Sequence, residues 1–109
     1  ERYYAERIQR LLTGPDEVTV PLQAVRVGEV GIAAIPFEVF AETGLEIKDR
    51  TPFTHAFTIE LANDYHGYLP TPNQHELGGY ETWMGTSKVQ LDASELIKHT
   101  ILDMMNNLK

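Results

Sequence analysis

The sequence predicts an α/β fold: a mixed sheet containing a hairpin and a parallel β-α-β unit, with amphipathic helices at both ends. Three observations carry this expectation. Apolar residues recur at every second position from Val18 to Leu22 and again over 55–62, and residues 30–35 form a nearly continuous apolar run, all of which are strand signals. Between these segments, residues 37–48 follow three- and four-residue spacings, which is helical. Strand, helix, strand in that order is a crossover unit, whose two strands run parallel with a right-handed connection.

Each element has its own justification. Residues 1–12 set Tyr4, Ile8, Leu11 and Leu12 opposite Glu1, Arg2, Glu6 and Arg10, an amphipathic helix that Thr13-Gly14-Pro15 ends. Val18, Val20 and Leu22 then share one strand face, whereas Val25 and Val27 fall out of phase, so a bulge is expected near Gln23. Gly28-Glu29 makes a tight turn with glycine first. Val30, Ile32, Ala33, Ala34 and Ile35 read as a strand buried on both faces. Pro36 opens a helix over 37–48 with the stripe Phe37, Phe40, Ala41, Gly44 and Ile47, and residues 48–52 stop it. Phe57, Ile59 and Leu61 alternate with Thr58, Glu60 and Ala62 in the next strand, over 55–62. Residues 63–89 carry turn and glycine chemistry with little periodicity, and an unstructured stretch of that length in a compact domain is usually functional. Asp92 and Glu95 form a capping-box pair ahead of Leu96, Ile97, Ile101, Met104, Met105 and Leu108, an amphipathic closing helix. There is no internal repeat.

Composition narrows the function classes. With 109 residues, 42% hydrophobic and 23% charged, residues 1–109 are expected to form one folded unit, not a disordered or low-complexity chain. Sixteen acidic against nine basic residues give a net charge of −7, which repels a phosphate backbone, so nucleic acid is an unsuitable partner. No run approaches the ~20 apolar residues of a membrane helix, and a transmembrane reading is excluded. Without cysteine there are no disulfides, thiolate metal sites or cysteine nucleophiles. The chain begins at Glu1 with neither an initiator methionine nor a signal-peptide pattern, so a piece of a longer protein is expected.

In parallel α/β units, ligands gather beyond the carboxyl ends of the strands. That edge holds Glu38 after one strand and the segment from Asn63 to Tyr68 after the other. With the strands adjacent, Glu38 and Tyr68 approach across one strand spacing of ~5 Å plus loop reach. Glu38 has a second reading, because Glu38, Glu42, Glu46 and Asp49 recur as the solvated face of a helix. Tyr65, Tyr68 and Tyr80 fall in a glycine- and proline-rich loop with no helical or strand core to fill. Loop tyrosines also cover edges and interfaces. His66, an imidazole between two tyrosines, is a metal candidate or an exposed turn residue. His55, His75 and His99 provide no HxxxH or HxH pair, and neither a nucleophile elbow nor a phosphate loop is present.

Three segments share a pattern with one family. Ile35-Pro36-Phe37-Glu38, then residues 62–71 from Ala62 through Tyr68 to Thr71, then Gly79-Tyr80-Glu81-Thr82, resemble in order the last segments of the catalytic domain of neutral/alkaline (non-lysosomal) ceramidases. The resemblance spans residues 25–109 and implies the C-terminal portion of a larger zinc hydrolase domain. It implies Glu38 and Tyr68 as zinc ligands, with two histidine ligands supplied from outside this chain. It implies Tyr80 as the catalytic donor to the substrate amide oxygen. Tyr65 and His66 are then expected to contact substrate, Tyr65 as pocket wall. Phe37 replaces the family glycine, Val39-Phe40-Ala41 replace threonines and arginines, and Thr82-Trp83-Met84 replace small residues. The metal pattern thus survives better than the lipid pattern.

The implied activity is hydrolysis of an amide bond, in an N-acyl sphingoid lipid or related substrate, by zinc-activated water. The implied partners are a lipid or small amide substrate and the remaining N-terminal part of the catalytic domain. The implied location is secreted or periplasmic, or membrane-associated. The isolated chain is expected to be metal-poor and inactive, because two ligands compete weakly with water. The alternative reading is a non-catalytic α/β module that binds a ligand or partner chain through the same loop.

Overall fold

A computed structural model describes residues 17–109. The helix expected over 1–12, with its Thr13-Gly14-Pro15 stop, lies outside the described residues. The remainder is an α/β fold with a three-stranded mixed sheet, a two-stranded sheet and three α-helices.

Strands β1 (Gln23–Val27) and β2 (Val30–Ala34) form the expected hairpin across Gly28-Glu29. Their register runs unbroken from Gln23↔Ala34 to Val27↔Val30, so there is no bulge. The phase change read near Gln23 is instead the start of the strand. Val20 and Leu22 precede it without strand structure and pack against the core.

After Ile35 the chain departs from the expected path. Pro36-Phe37 leads into a two-residue strand, β3 (Glu38–Val39), and helix α1 (Ala41–Arg50) starts only after Phe40. The expected start at Phe37 is therefore four residues early. The Glu38 and Val39 amides are committed elsewhere, Glu38 N–H to the Gly67 carbonyl (2.9 Å) and Val39 N–H to Glu60 Oε2 (2.8 Å). α1 buries Thr43 and Ile47, whereas Ala41, expected in the apolar stripe, is exposed.

Strand β4 (His55–Ile59) pairs parallel with β2, from Val30↔His55 to Ala34↔Ile59, giving the order β1-β2-β4. Its phase is the reverse of the apolar alternation. Ala56 is buried, while Phe57 (47%), Ile59 (46%) and Leu61 (46%) are exposed. Packing explains this. α1 lies against β4, and the closing helix α3 (Ala93–Leu108) lies against β1 and α1, which covers the face carrying Ala33 and Ala56. Val25, Ile32 and Phe57 stand in one register row on the opposite face. β2 is thus covered on one face among the described residues, not both.

Close approach sets one position in the covered face. A Cβ on Gly31 would stand 2.5 Å from the Phe53 ring, so glycine lets that buried ring lie on the sheet. The core joins Ala33, Ile35, Phe37, Ile47, Phe53 and Leu69 to the α3 stripe Ile97, Ile101, Leu102 and Met105.

The region 63–89 is not structureless. It holds β5 (Tyr68–Leu69), α2 (Pro72–Leu77) and a 3₁₀ turn (Tyr80–Thr82). Thr71 caps α2 by accepting the Gln74 N–H at 3.2 Å, and Pro72 follows it where a missing N–H costs nothing. In α3 the expected capping box does not form. Asp92 makes no side-chain cap bond and accepts from Gln90 Nε2 (2.7 Å), while Glu95 pairs with Lys98 at 2.8 Å. Leu96 of the expected stripe is exposed, and Lys98 is buried instead.

Lys98 pairs with Glu46 of α1 as well as Glu95, which ties the two helices through one buried ammonium. The Lys98 bond holds the Glu46 carboxyl below its usual range. Burial works against the Lys98 charge, and the two carboxylates outweigh it, raising the ammonium above its ordinary value. Lys98→Ala should lower stability by about 2 kcal/mol in urea unfolding, less than for a fully buried pair because the carboxylates remain 49% and 43% exposed. Because the folded Glu46 pKa is depressed, its contribution is present above the unfolded value of 4.5 and is lost as pH falls below it. The stability difference between the parent chain and Glu46→Gln should therefore shrink toward zero in acid.

Candidate functional site

The candidate site lies where the second sheet meets the end of the first. The ladder of the larger sheet continues past β2 through Ile35 N–H to the Ile59 carbonyl (3.0 Å) and Ala62 N–H to the Ile35 carbonyl (3.1 Å). Leu61 N–H donates to the Phe37 carbonyl (3.0 Å), and His66 N–H to the Pro36 carbonyl (3.0 Å). Leu61 (φ 52°) and Asn63 (φ 70°) take the left-handed conformation that reverses the chain here. These bonds carry the 63–67 loop back so that β5 runs parallel beside β3, with Glu38 opposite Tyr68 and Val39 opposite Leu69.

Glu38 and Tyr68 are therefore direct neighbours, as the sequence led one to expect, but on a different pair of strands. The expected geometry used the ends of β2 and β4; the observed one uses a separate two-residue ladder. Buried Leu69 and Phe37 anchor it from below. Gly67 is required at its edge, because φ is +87° and a Cβ would stand 2.7 Å from the Thr86 carbonyl oxygen.

Three phenols and a carboxylate converge. The Tyr68 and Tyr80 hydroxyls are 2.9 Å apart, with the rings edge to face at 5.6 Å and 85°. The Tyr65 hydroxyl donates to Glu38 Oε2 at 3.4 Å. His66 does not join them by its imidazole, which bonds Asp64 Oδ2 at 3.0 Å and lies tilted against Phe37 at 5.7 Å. The Tyr65 main-chain N–H, followed by that imidazole, holds the Asp64 carboxyl below its usual range. Asp64 escaped the sequence reading, and its only signal was an aspartate opening a turn.

Electrostatics act in one direction on Tyr68. The bond to Tyr80, then loss of water, then the nearby Glu38 carboxylate raise its pKa well above the ordinary phenol value of 10.0. The phenol is thereby held in its protonated form. A cation held near Glu38 and Tyr68 would lower that pKa again.

The donor chemistry fits zinc as part of a ligand set. Glu38 and Tyr68 are register partners, which brings a carboxylate and a phenol to one edge, and zinc accepts oxygen donors alongside imidazole. Among the described residues no group of three or more histidine, aspartate or glutamate side chains is arranged to hold a metal ion. A metal ion held by Glu38 and Tyr68 would need further ligands beyond those two.

A second layer supports the pair. The turn bearing Tyr80 is bonded to residues 86 and 87, which also bond β5: Tyr68 N–H donates to the Thr86 carbonyl (3.1 Å) and Ser87 Oγ donates to the Tyr68 carbonyl (3.3 Å). Thr86 did not enter the sequence reading, and Ser87 entered it only as a serine without a nucleophile-elbow context, since a threonine-serine pair in a polar loop carries no periodic signal.

Fold and site together define a class: an α/β unit that presents one carboxylate and paired phenols at the end of a parallel strand pair. Among solved structures the chain is similar to the neutral ceramidase from Pseudomonas aeruginosa, with TM-score 0.73, 21% identity, and coverage of 82% of this chain and 15% of that chain. It is similar in the same measure to a ceramidase solved in complex with C2, again over 82% of this chain and 15% of the other. The chain thus matches a small portion of each, and at this identity the likeness is one of fold. No protein-family model matches the chain, and no curated protein sequence does. Among the described residues, no helix is long and apolar enough to cross a membrane.

The raised Tyr68 pKa has a measurable sign. A phenol that holds its proton more tightly in the folded state contributes stability below pH 10.0 that is lost as pH rises beyond it. In a titration followed by phenolate absorbance, one tyrosine should ionise after the others, and that component should vanish in Tyr68→Phe. Tyr80→Phe removes the largest cause and should move the last component to lower pH.

Proposed function

We propose that this chain supplies the carboxylate–phenol half of a zinc centre in a larger ceramidase-like amide hydrolase, with two histidine ligands from outside it. The observation that carries the reading is the parallel register of Glu38 with Tyr68, with the Tyr80 hydroxyl on the Tyr68 hydroxyl. The substrate is an N-acyl sphingoid lipid or a related amide, and the parent protein works in a secreted, periplasmic or membrane-associated setting.

When bound, a zinc ion lowers the pKa of water and polarises an amide carbonyl. Glu38 contributes a fixed negative charge to the cation site, oriented by Tyr65. Tyr68 would hold the ion through its phenol oxygen, its hydroxyl proton passing to solvent; without the ion, the bond to Tyr80 and the Glu38 carboxylate keep that proton in place. Tyr80 carries a single hydroxyl proton. It is directed either to the Tyr68 oxygen, as a hydrogen bond within the pair, or to the carbonyl oxygen of a bound amide. Donation to that oxygen as charge develops steadies the transition state. Tyr65 and His66, both in the 63–67 loop that leads into β5, are assigned to substrate contact.

The test is metal content and turnover of the complete protein. One zinc per molecule is expected, falling sharply in Glu38→Gln and Tyr68→Phe. Tyr80→Phe should keep its metal and lose on the order of 10²–10³ in kcat, the effect of one oxyanion donor. Full zinc occupancy in Tyr68→Phe would remove the phenol from the ligand set. A protein without zinc that still binds a ligand through this loop would favour a non-catalytic binding module.

A further inference from the structure

Thr86 is bonded to the main chain of both tyrosines whose hydroxyls meet. Its carbonyl oxygen accepts the Tyr68 N–H at 3.1 Å. Its hydroxyl, on a side chain that is almost fully buried, donates to the Tyr80 carbonyl and shares that one proton with the Trp83 carbonyl at 3.0 Å. Ser87 adds a parallel tie, its Oγ donating to the Tyr68 carbonyl at 3.3 Å and its N–H to the Trp83 carbonyl at 2.9 Å.

The rest of the turn is held locally. Thr82 N–H and Oγ1 both donate to the Gly79 carbonyl, at 3.0 and 2.7 Å, and Trp83 N–H donates to the Tyr80 carbonyl at 3.2 Å. Those bonds shape the turn. They do not fix where it stands relative to β5. Thr86 supplies the connection to Tyr80 itself, through its side chain on one side and its backbone on the other, whereas Ser87 reaches the turn at Trp83.

We propose that Thr86 is a positioning residue, whose hydroxyl holds the Tyr80 turn against β5 so that the Tyr68 and Tyr80 rings meet edge to face with their hydroxyls in contact. It acts through Tyr80 and touches no substrate. The inference rests on the proposed function for its importance to catalysis, but the placement itself belongs to this chain alone.

Valine is the informative replacement, because it keeps the shape of threonine and removes the hydroxyl. The carbonyls it leaves behind keep other donors: Trp83 O still accepts from Thr86 N–H (3.0 Å) and Ser87 N–H (2.9 Å), and Tyr80 O from Trp83 N–H. The loss therefore falls on placement before it falls on folding. The readout is the nuclear Overhauser contact between the Tyr68 and Tyr80 rings in the metal-free 109-residue chain. Assignment comes from the two single Phe variants.

The contact should be present in the parent chain, lost in Thr86→Val and kept in Thr86→Ser. Ile97→Val, a core change remote from the turn in sequence, serves as the control and should lower stability without moving the contact. An unchanged ring contact in Thr86→Val overturns the proposal. So does its loss in Thr86→Ser, which also decides the matter should the valine variant not fold. Because no metal is present in this experiment, the zinc reading can fail while Thr86 positioning stands. The reverse outcome, zinc bound through Glu38 and Tyr68 with an unmoved Tyr80 in Thr86→Val, would leave the metal site and remove the clamp.

Discussion

A parallel ladder of two residues on each side governs the rest of the site. Glu38–Val39 and Tyr68–Leu69 pair only because the chain leaves the larger sheet at Pro36-Phe37 and the 63–67 loop follows it. A ladder so short has little stability of its own, since strand pairs depend on a buried face. Buried Leu69 and Phe37 provide that face, and the Gly67 carbonyl and Glu60 carboxylate occupy the first two amides of β3. The same bonds that stop α1 from starting early put Glu38 beside Tyr68.

Charge then determines what the pair is able to do. Two groups that both lose protons to become negative stand together, and Glu38 disfavours ionisation of Tyr68. The phenol therefore acts as a neutral hydrogen-bonding group. Like-charge proximity of this kind is a device common to metal and acid–base sites. Asp64 and His66 form a separate pair in the neighbouring loop.

The larger sheet provides the frame. α1 and α3 cover one face and are joined by Lys98, while Val25, Ile32 and Phe57 line the other in one register row. The solved ceramidases that share the fold are much longer chains, of which this one spans 15%.

The order of strands, the hairpin at Gly28-Glu29, the parallel crossover and the closing helix were all legible in the sequence, because hydrophobic periodicity is a local property of the chain. The sequence also put Glu38 near Tyr68, but by way of the crossover strand ends; the separate two-residue ladder that joins them was not legible, because it depends on main-chain bonds made by the 63–67 loop. Alternation shows that a strand has two faces but not which one is covered, and the burial of Ala56 instead of Phe57 was decided by where α1 packed. The delayed start of α1, the failure of the Asp92 cap and the clamp at Thr86 share one reason. Each depends on hydrogen-bond partners distant in sequence or competing at short range, and a main-chain donor goes to whichever acceptor the folded chain presents.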